Sequence, residues 1–135
     1  MTGGAVVSEN CWLVVQIIVS QVPRARSTIG LGATSVTLTA TDEAGNFSTC
    51  SVDVTVIDDT APSITCPAAP ADLSSDVNCE ALVPDLTGGA VVSDNCSLVG
   101  NIIVTQVPAA GSTIGLEATS VTLTATDEAG NFSTC

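Results

Sequence analysis

The stretch SVTLTATDEAGNFSTC occupies residues 120–135 and occurs again, unchanged, at residues 35–50. In its first half, apolar residues alternate with Thr, which is the period-two pattern of a strand with one apolar face. The run DEAGN that follows has the composition of a turn, and its Gly suits a positive φ. The stretch therefore predicts a strand, a turn and the next strand, with Val121, Leu123 and Ala125 facing inward.

This stretch is part of a longer internal duplication with a constant offset of 85 residues. Residues 2–50 align with residues 87–135, and 41 of the 49 aligned positions are identical, which indicates duplication of one domain. Residues 51–86 occur once. Met1 stands where the second copy has Leu86, and we interpret it as an introduced start. The differing pairs are Glu9/Asp94, Trp12/Ser97, Val15/Gly100, Gln16/Asn101, Ser20/Thr105, Arg24/Ala109, Arg26/Gly111 and Gly32/Glu117.

The segment that occurs once sets the predicted domain boundaries. Its first part, residues 51–57, alternates Val with Asp and Thr and predicts a strand that closes the first copy. The run DDTAP at 58–62 predicts a linker, because Pro cannot continue a strand ladder. We therefore expect residues 1–58 to be the C-terminal part of a first repeat without its opening strands. We expect residues 59–135 to be a second repeat without its closing strand.

The rest of the second repeat reads as short strands separated by turns. Val, Ile, Leu and Ala must build the core, since the chain has only three aromatic residues, and the β-branched members of that set favour strands. The pattern predicts an all-β fold: an antiparallel, immunoglobulin-like β-sandwich, repeated in tandem and stapled by disulfides. The predicted strands of the second repeat are 63–65 with 71–74, 80–84, 98–107, 113–116, 120–126 and Phe132 onward.

The composition excludes several classes of function. The net charge is −12 with no Lys and no His, so neither nucleic acid nor anionic lipid is an expected partner. Without His or Lys there is no Ser-His or Cys-His nucleophile, no His-ligated zinc and no Schiff base. Asp42 and Glu43 are unsuited to glycoside hydrolysis, because adjacent carboxylates in a turn point apart. We expect no enzyme activity, no catalytic residue and no membrane insertion.

Four motifs resemble the hyalin repeat, or HYR domain, and they occur in that family's order. They are DDTAPSITCP at 58–67, Cys79 before an apolar strand, SDNC at 93–96 and TATDEAGNFSTC at 124–135. The resemblance implies an immunoglobulin-like fold in a secreted, extracellular or cell-surface protein, built as a tandem array and linked to adhesion and matrix. It implies no catalytic residues.

Six cysteines at regular spacing predict structural disulfides in an oxidising compartment. The first copy retains two cysteines and the second retains their equivalents, which a sandwich places near one end. We therefore pair these within each copy and leave the remaining two to bridge the first hairpin. A rival scheme joins Cys66 to the other cysteines at that end. The predicted disulfides are Cys11–Cys50, Cys96–Cys135 and Cys66–Cys79.

Acidic clusters in the linker and in two loops are expected to share one end of the second repeat. Ca²⁺ takes six to eight oxygen ligands, and these side chains supply enough of them. A cation there would stiffen the joint between repeats. The alternative is that Asp, Asn and Gly simply form turns. The candidate calcium ligands are Asp58, Asp59, Asp94, Asp127, Glu128 and Asn131; no other cofactor is expected.

Two functions compete for this chain. The first is an extracellular structural or adhesive module that acts as a spacer or fibre subunit, assembling with copies of itself or neighbouring repeats by strand complementation. Near-identity of the copies favours it, because a spacer has no reason to diversify its loops. The alternative is a ligand-binding adhesion module that recognises a surface protein or a glycan. The differences between the copies cluster at residues 12–16 and 24–32, where a specific contact could lie.

Overall fold

The computed structural model describes residues 16–135, which form two compact units. The first unit ends at Ile57 and the second is Asp58–Cys135, so the division falls one residue before the predicted boundary. The described residues contain strands and short 3₁₀ helices but no α-helix. The predicted all-β, antiparallel fold is confirmed, and its sheets are consistent with an immunoglobulin-like sandwich. That the units belong to a tandem array stays a prediction.

The first unit is a three-stranded antiparallel sheet in the order β1-β2-β3. Its strands are β1 (Ile18–Val22), β2 (Gly32–Thr41) and β3 (Phe47–Val56). The strand predicted over 51–57 is the second half of β3, because the ladder with β2 runs without a break from Phe47 to Val56.

The second unit has seven short strands in three sheets, in the orders β10-β9-β7, β4-β6 and β5-β8. A 3₁₀ helix at Thr87–Gly89 precedes β6, and another at Val99–Asn101 precedes β7. The strands are β4 (Ser63–Thr65), β5 (Ala81–Leu82), β6 (Val91–Ser93), β7 (Ile103–Val107), β8 (Thr113–Ile114), β9 (Thr122–Thr126) and β10 (Phe132–Thr134).

Two strand predictions for this unit were wrong, and one strand was missed. Residues 71–74 form no strand; they follow two prolines, which donate no backbone hydrogen bond, and they lie exposed. The strand predicted over 98–107 begins only at Ile103, because Gly100 and Asn101 favour the 3₁₀ turn before it. The short strand β6 was not predicted, although it pairs with β4 from Ser63 to Thr65.

The two copies of the repeated stretch pair their strands in the same register. Ile18 lies opposite Thr41 in the first unit, and Ile103 lies opposite Thr126 in the second. In the second unit, β4 lies beside β9 and β10 and covers the sheet. The predicted inward orientation is confirmed there, since Leu123 is 1% exposed and Ala125 is fully buried.

The one disulfide among the described residues joins Cys66 to Cys135, with 5.7 Å between the Cα atoms. The predicted pairs Cys66–Cys79 and Cys96–Cys135 are therefore wrong, and the rival scheme is the one formed. Cys135 follows β10 on the covered side of the sheet, and Cys66 follows β4, which lies on that side. The predicted Cys11–Cys50 pair stays a prediction, because Cys11 lies outside the described residues.

The position of the other cysteines explains why the predicted pairs do not form. Cys79 lies in a turn in which its N–H donates to the carbonyl oxygen of Asp76, and its backbone has a positive φ of 61°. Cys96 lies in the loop after β6, beside the acidic residues described below. Both are exposed, and neither forms a disulfide with another described cysteine.

Candidate metal centre

Three loops of the second unit each deliver one aspartate to the same point. Asp58 precedes β4, Asp94 follows β6 and Asp127 follows β9. One carboxylate oxygen from each lies within 4.8 Å of the others. Asp127 is buried, with 5% of its surface exposed, and the other two are half-buried. We call Asp58, Asp94 and Asp127 the aspartate cluster.

The turn after β9 holds Asp127 in place. The backbone N–H of Asn131 donates to Oδ1 of Asp127 at 2.7 Å, and its side-chain amide donates to Oδ2 at 2.8 Å. The same amide donates to the carbonyl oxygen of Asp58 at 3.1 Å. Asn131 therefore ties the segment that begins the second unit to the turn that carries the buried carboxylate.

Asp94 carries the unpaired oxygen of the cluster. Its Oδ2 accepts from the backbone N–H groups of Cys96 and Ser97, both at 2.8 Å. These bonds, that from Ser97 first, hold the pKa of Asp94 below its ordinary value, so the carboxylate is charged at neutral pH. Its Oδ1 is buried and has no hydrogen-bond partner among the described residues. A buried, charged acceptor without a partner is costly and requires an explanation.

Residues 58–135 contain no Lys, Arg or His, so no positive side chain of the second unit balances the cluster. The negative charge of the cluster also affects the thiol of Cys96. Desolvation raises the pKa of Cys96, and the negative charges of Asp58, Asp94 and Asp127 raise it further. The thiol is therefore protonated at neutral pH, a form that neither attacks nor ligates metals.

The donor set fits a hard divalent cation. Three carboxylates offer oxygen ligands only, and oxygen is what Ca²⁺ and Mg²⁺ bind. A cation at the cluster would partner the orphaned Oδ1 of Asp94 and offset the repulsion between the three charges. A thiophilic metal fits less well, because the nearby Cys96 is held as a thiol.

The structure brings together half of the predicted ligands. Asp58, Asp94 and Asp127 converge, and Asn131 bonds to two of them through its amide N–H groups. Asp59 is exposed and lies outside the cluster.

Glu128 also lies outside the cluster. Its Oε1 accepts from the side-chain amide of Asn101 at 3.1 Å, and its backbone N–H donates to Oγ of Ser97 at 3.2 Å. The supporting N–H groups of Cys96 and Ser97 were not predicted from sequence. An aspartate two and three residues before them is the signal of an Asx turn, which could have indicated these bonds.

The first copy shows which part of the site is a turn and which part is specific. Asp42 and Asn46, the equivalents of Asp127 and Asn131, make the same two bonds, at 2.8 and 2.9 Å. The side-chain bond from Asn46 holds the pKa of Asp42 below its ordinary value. Glu9, the equivalent of Asp94, lies outside the described residues. The Asp-Asn pair therefore forms its turn by itself, and the convergence with Asp58 and Asp94 is the separate feature.

Residues 7–56 match the HYR domain family. The resemblance drawn from the motifs is thereby confirmed over that segment. Residues 92–135 repeat residues 7–50 at the 85-residue offset. The HYR family is extracellular and commonly associated with adhesion.

No significant match was found among curated proteins or among solved structures. Across residues 16–135, no helix has the length and apolar character needed to cross a bilayer.

Proposed function

We propose that this chain is a secreted or cell-surface structural module, a spacer or fibre subunit without enzyme activity, whose partners are copies of itself and neighbouring repeats. In this proposal Ca²⁺ binds the aspartate cluster and stiffens the segment that begins the second unit. The observation that carries the proposal is the position of Asp58. It is the first residue of the second unit, and its carboxylate lies within 4.8 Å of those of Asp94 and Asp127.

A cation at this point would restrict the chain where one unit gives way to the next. Only the backbone carbonyl of Asp58 is tied to the turn after β9, through Asn131. Binding of its carboxylate would add a second, stronger tie. A ligand that binds only the folded state stabilises that state by mass action. Ca²⁺ would therefore both hold the linker and stabilise the fold around it.

The cation site is tested by calorimetric titration of Ca²⁺ into the calcium-free chain. We expect binding to weaken at least tenfold in Asp94→Asn. This change keeps the shape of the side chain but removes its negative charge and replaces the unpaired oxygen with an amide nitrogen. Glu128→Gln is the matched control, because this nearby acid bonds to Asn101 and lies outside the cluster. Equal affinity for the wild type and Asp94→Asn would contradict the site.

The spacer role is tested by light scattering and electron microscopy of the chain with Ca²⁺ and with a chelator. The proposal expects extended particles in Ca²⁺ that shorten or become flexible on chelation, and no such change in Asp94→Asn. Compact monomers under both conditions would contradict the role in assembly, whatever the result of the titration.

The alternative, an adhesion module that recognises a protein or glycan, has one structural observation in its favour. Arg24 and Arg26, the only basic side chains of the chain, both lie exposed in the loop between β1 and β2. Such a pair could bind an acidic ligand, for instance a sulfated or carboxylated glycan. Retention of the wild type on a sulfated-glycan column, lost in Arg24→Ala/Arg26→Gly, would favour this function.

A further inference from the structure

The register of β7, β9 and β10 divides the side chains of the second unit's main sheet between two faces. In antiparallel pairs, residues directly opposite one another point to the same side. Leu123 and Ala125 of β9 point to the inner side, where Leu123 is 1% exposed and Ala125 is fully buried. The alternate positions form the other side, which we call the outer face: Ile103, Thr105, Val107, Thr122, Thr124, Thr126, Phe132 and Thr134.

The outer face leaves large apolar side chains in water. Ile103 is 65% exposed, Val107 is 71% exposed and Phe132 is 64% exposed. The other positions of the face are threonines, each of which carries a methyl group beside its hydroxyl. Single exposed apolar residues are ordinary on a protein surface, whereas a group of them on one face marks a contact surface.

The first unit presents the same face in the same register. The counterparts of the three apolar residues are Ile18, Val22 and Phe47, which are 67%, 69% and 72% exposed. The first unit includes residues 51–57, which follow the repeated stretch, and the second includes residues 58–86, which precede it. The face is exposed in both surroundings, so its exposure is a property of the repeated sheet itself.

The outer face carries no charge, although the unit that presents it is strongly acidic. Ten of the chain's fourteen acids lie in residues 58–135, without any base, and none of the ten belongs to the outer face. Contact between like charges is costly, so an acidic partner can approach this face at the least cost. A basic partner would instead gain more from the acidic surfaces. A second copy of this chain, with its net charge of −12, is a partner of the first kind.

The outer face is also a suitable partner for itself. Two sheets pack face to face when their facing side chains are apolar, with strand directions about 30° apart. A two-fold contact uses the same patch on both partners, so one kind of face supplies both sides of the contact. The uncharged outer face of one copy therefore meets the requirement that the other copy sets.

We infer that the outer face is a contact surface between copies of this chain, which pair through it sheet on sheet. The inference rests on the proposed function, which names copies of the chain as partners, and it assigns the surface that joins them. Ile103, Val107 and Phe132 supply the apolar area of the contact, and the threonines between them pack against the same residues of the second copy.

The size of the outer face sets the strength of the pairing. The face spans three strands of at most five residues, which cover roughly 250 Å². A stable interface buries about 800 Å² on each partner, so one pair of outer faces should dissociate at around 1 mM. Each chain offers the face twice, so pairing can continue from chain to chain as the concentration rises.

The test is sedimentation equilibrium of the full chain over a range of concentrations, with a chelator present so that no cation joins the copies. We expect the average mass to rise reversibly with concentration. We also expect added salt to strengthen the pairing, because salt screens the repulsion between the acidic copies and the face contains no ion pair to weaken.

Charged variants place the contact on the outer face. Val107→Asp should weaken the pairing at least threefold, and Val22→Asp/Val107→Asp, which charges the face of both units, should abolish it. The control with the same added charge is Ser75→Asp/Val77→Asp, since Val77 is 98% exposed in a turn outside the face. The control should pair like the wild type, and calorimetric melting checks that each variant is folded.

Methyl NMR of the wild type locates the contact without any substitution. The signals of Ile103 and Thr124 should shift with concentration, whereas those of Val77 and of the buried Leu123 should stay constant. A chain that remains monomeric at several times the expected dissociation constant would overturn the inference. Equal pairing in Val22→Asp/Val107→Asp and its control, or methyl shifts confined to other surfaces, would do the same.

Measurements with and without Ca²⁺ separate this contact from the proposed spacer role. Pairing through the outer face in the chelator, together with particles that do not extend in Ca²⁺, would support the contact and refute the spacer role. Particles that extend in Ca²⁺ but never pair at any concentration would support the spacer role and refute the contact.

Discussion

Arg26 and Gly111 hold equivalent positions in the two copies and share a left-handed backbone, with φ of 68° and 81°. Gly32 and Glu117 form a second such pair, with φ of 96° and 99°. Each copy therefore places one glycine and one residue with a side chain at these two turns. The backbone conformation is the same in both copies, although glycine stands at the first position in one copy and at the second position in the other. The strand ladders on either side fix the path of the chain at both positions.

Glu117→Gly should stabilise the protein by about 1 kcal/mol, since a side chain at this φ is strained and glycine relieves it. Arg26→Gly should gain less, a few tenths of a kcal/mol, because a φ of 68° lies nearer the left-handed well that other residues tolerate. Urea unfolding measures both. Glu117→Ala is the control: it removes the charge and keeps the strain, so an equal gain there would show that charge is the cause.

Loss of the Cys66–Cys135 disulfide should be costly. It closes a loop with a sequence separation of 69, for which the chain-entropy model gives about 4 kcal/mol. Urea unfolding of Cys66→Ser should show a loss of that order. Cys79→Ser should cost under about 1 kcal/mol, because Cys79 is exposed and not part of this bond. A large loss in Cys79→Ser would restore the pairing first predicted from sequence.

Leu38 and Leu123 hold equivalent positions in the two units, so truncating each of them measures how much burial of this position contributes to stability. Leu123→Ala should cost about 3 kcal/mol, as expected for a fully buried leucine. Leu38→Ala, the same change in the same ladder position, should cost about 1 kcal/mol, because Leu38 is only half-buried. Calorimetric melting of both variants tests this, and equal costs would show that Leu38 is as well covered in solution as Leu123.

Asp85 should contribute stability that disappears in acid. Its carboxylate accepts from the hydroxyl and N–H of Thr87, at 2.7 and 2.9 Å, which hold its pKa below the ordinary value. A depressed folded-state pKa stabilises the fold above pH of about 4 and loses that effect as the pH falls through the folded value. The stability difference between the wild type and Asp85→Asn should therefore shrink below pH 4.

The pKa itself is measured by an NMR titration of the Asp85 carboxyl. Thr87→Val removes the hydroxyl donor, which is the larger cause of the shift, and should move the titration toward the ordinary range. A titration of Asp85 that is the same in both proteins would contradict this account.

The sequence predicted the fold wherever pattern and duplication gave the same answer. Apolar residues alternate with Thr around Leu123, and the same pattern recurs unchanged around Leu38. The repeat therefore supported the prediction of a strand at both places. The prediction from sequence failed for the disulfide, because its pairing depends on which strands pack over one another in three dimensions. Nothing in the spacing of Cys66 shows that β4 crosses over β9 and β10, and so its partner could not be read from a hairpin argument.

The same limit applied to the candidate site. Shared ends of an immunoglobulin-like sandwich were enough to predict that Asp58, Asp94 and Asp127 meet. They were not enough to exclude Glu128, because a residue adjacent to Asp127 differs from it only in the direction of its side chain. The side chain of Glu128 accepts a hydrogen bond from Asn101, which lies 27 residues earlier in the chain and is not identified by the pattern around Asp127.

The second unit, Asp58–Cys135, contains acids and no base, and this reverses the usual effect of dissolved salt. Folds that depend on ion pairs lose stability as ionic strength rises, since screening weakens attraction. Every pair of charged side chains inside this unit is repulsive, so screening by salt weakens the repulsion and stabilises the fold. Seawater or plasma would therefore be a better solvent for this unit than dilute buffer, even before any specific cation binds.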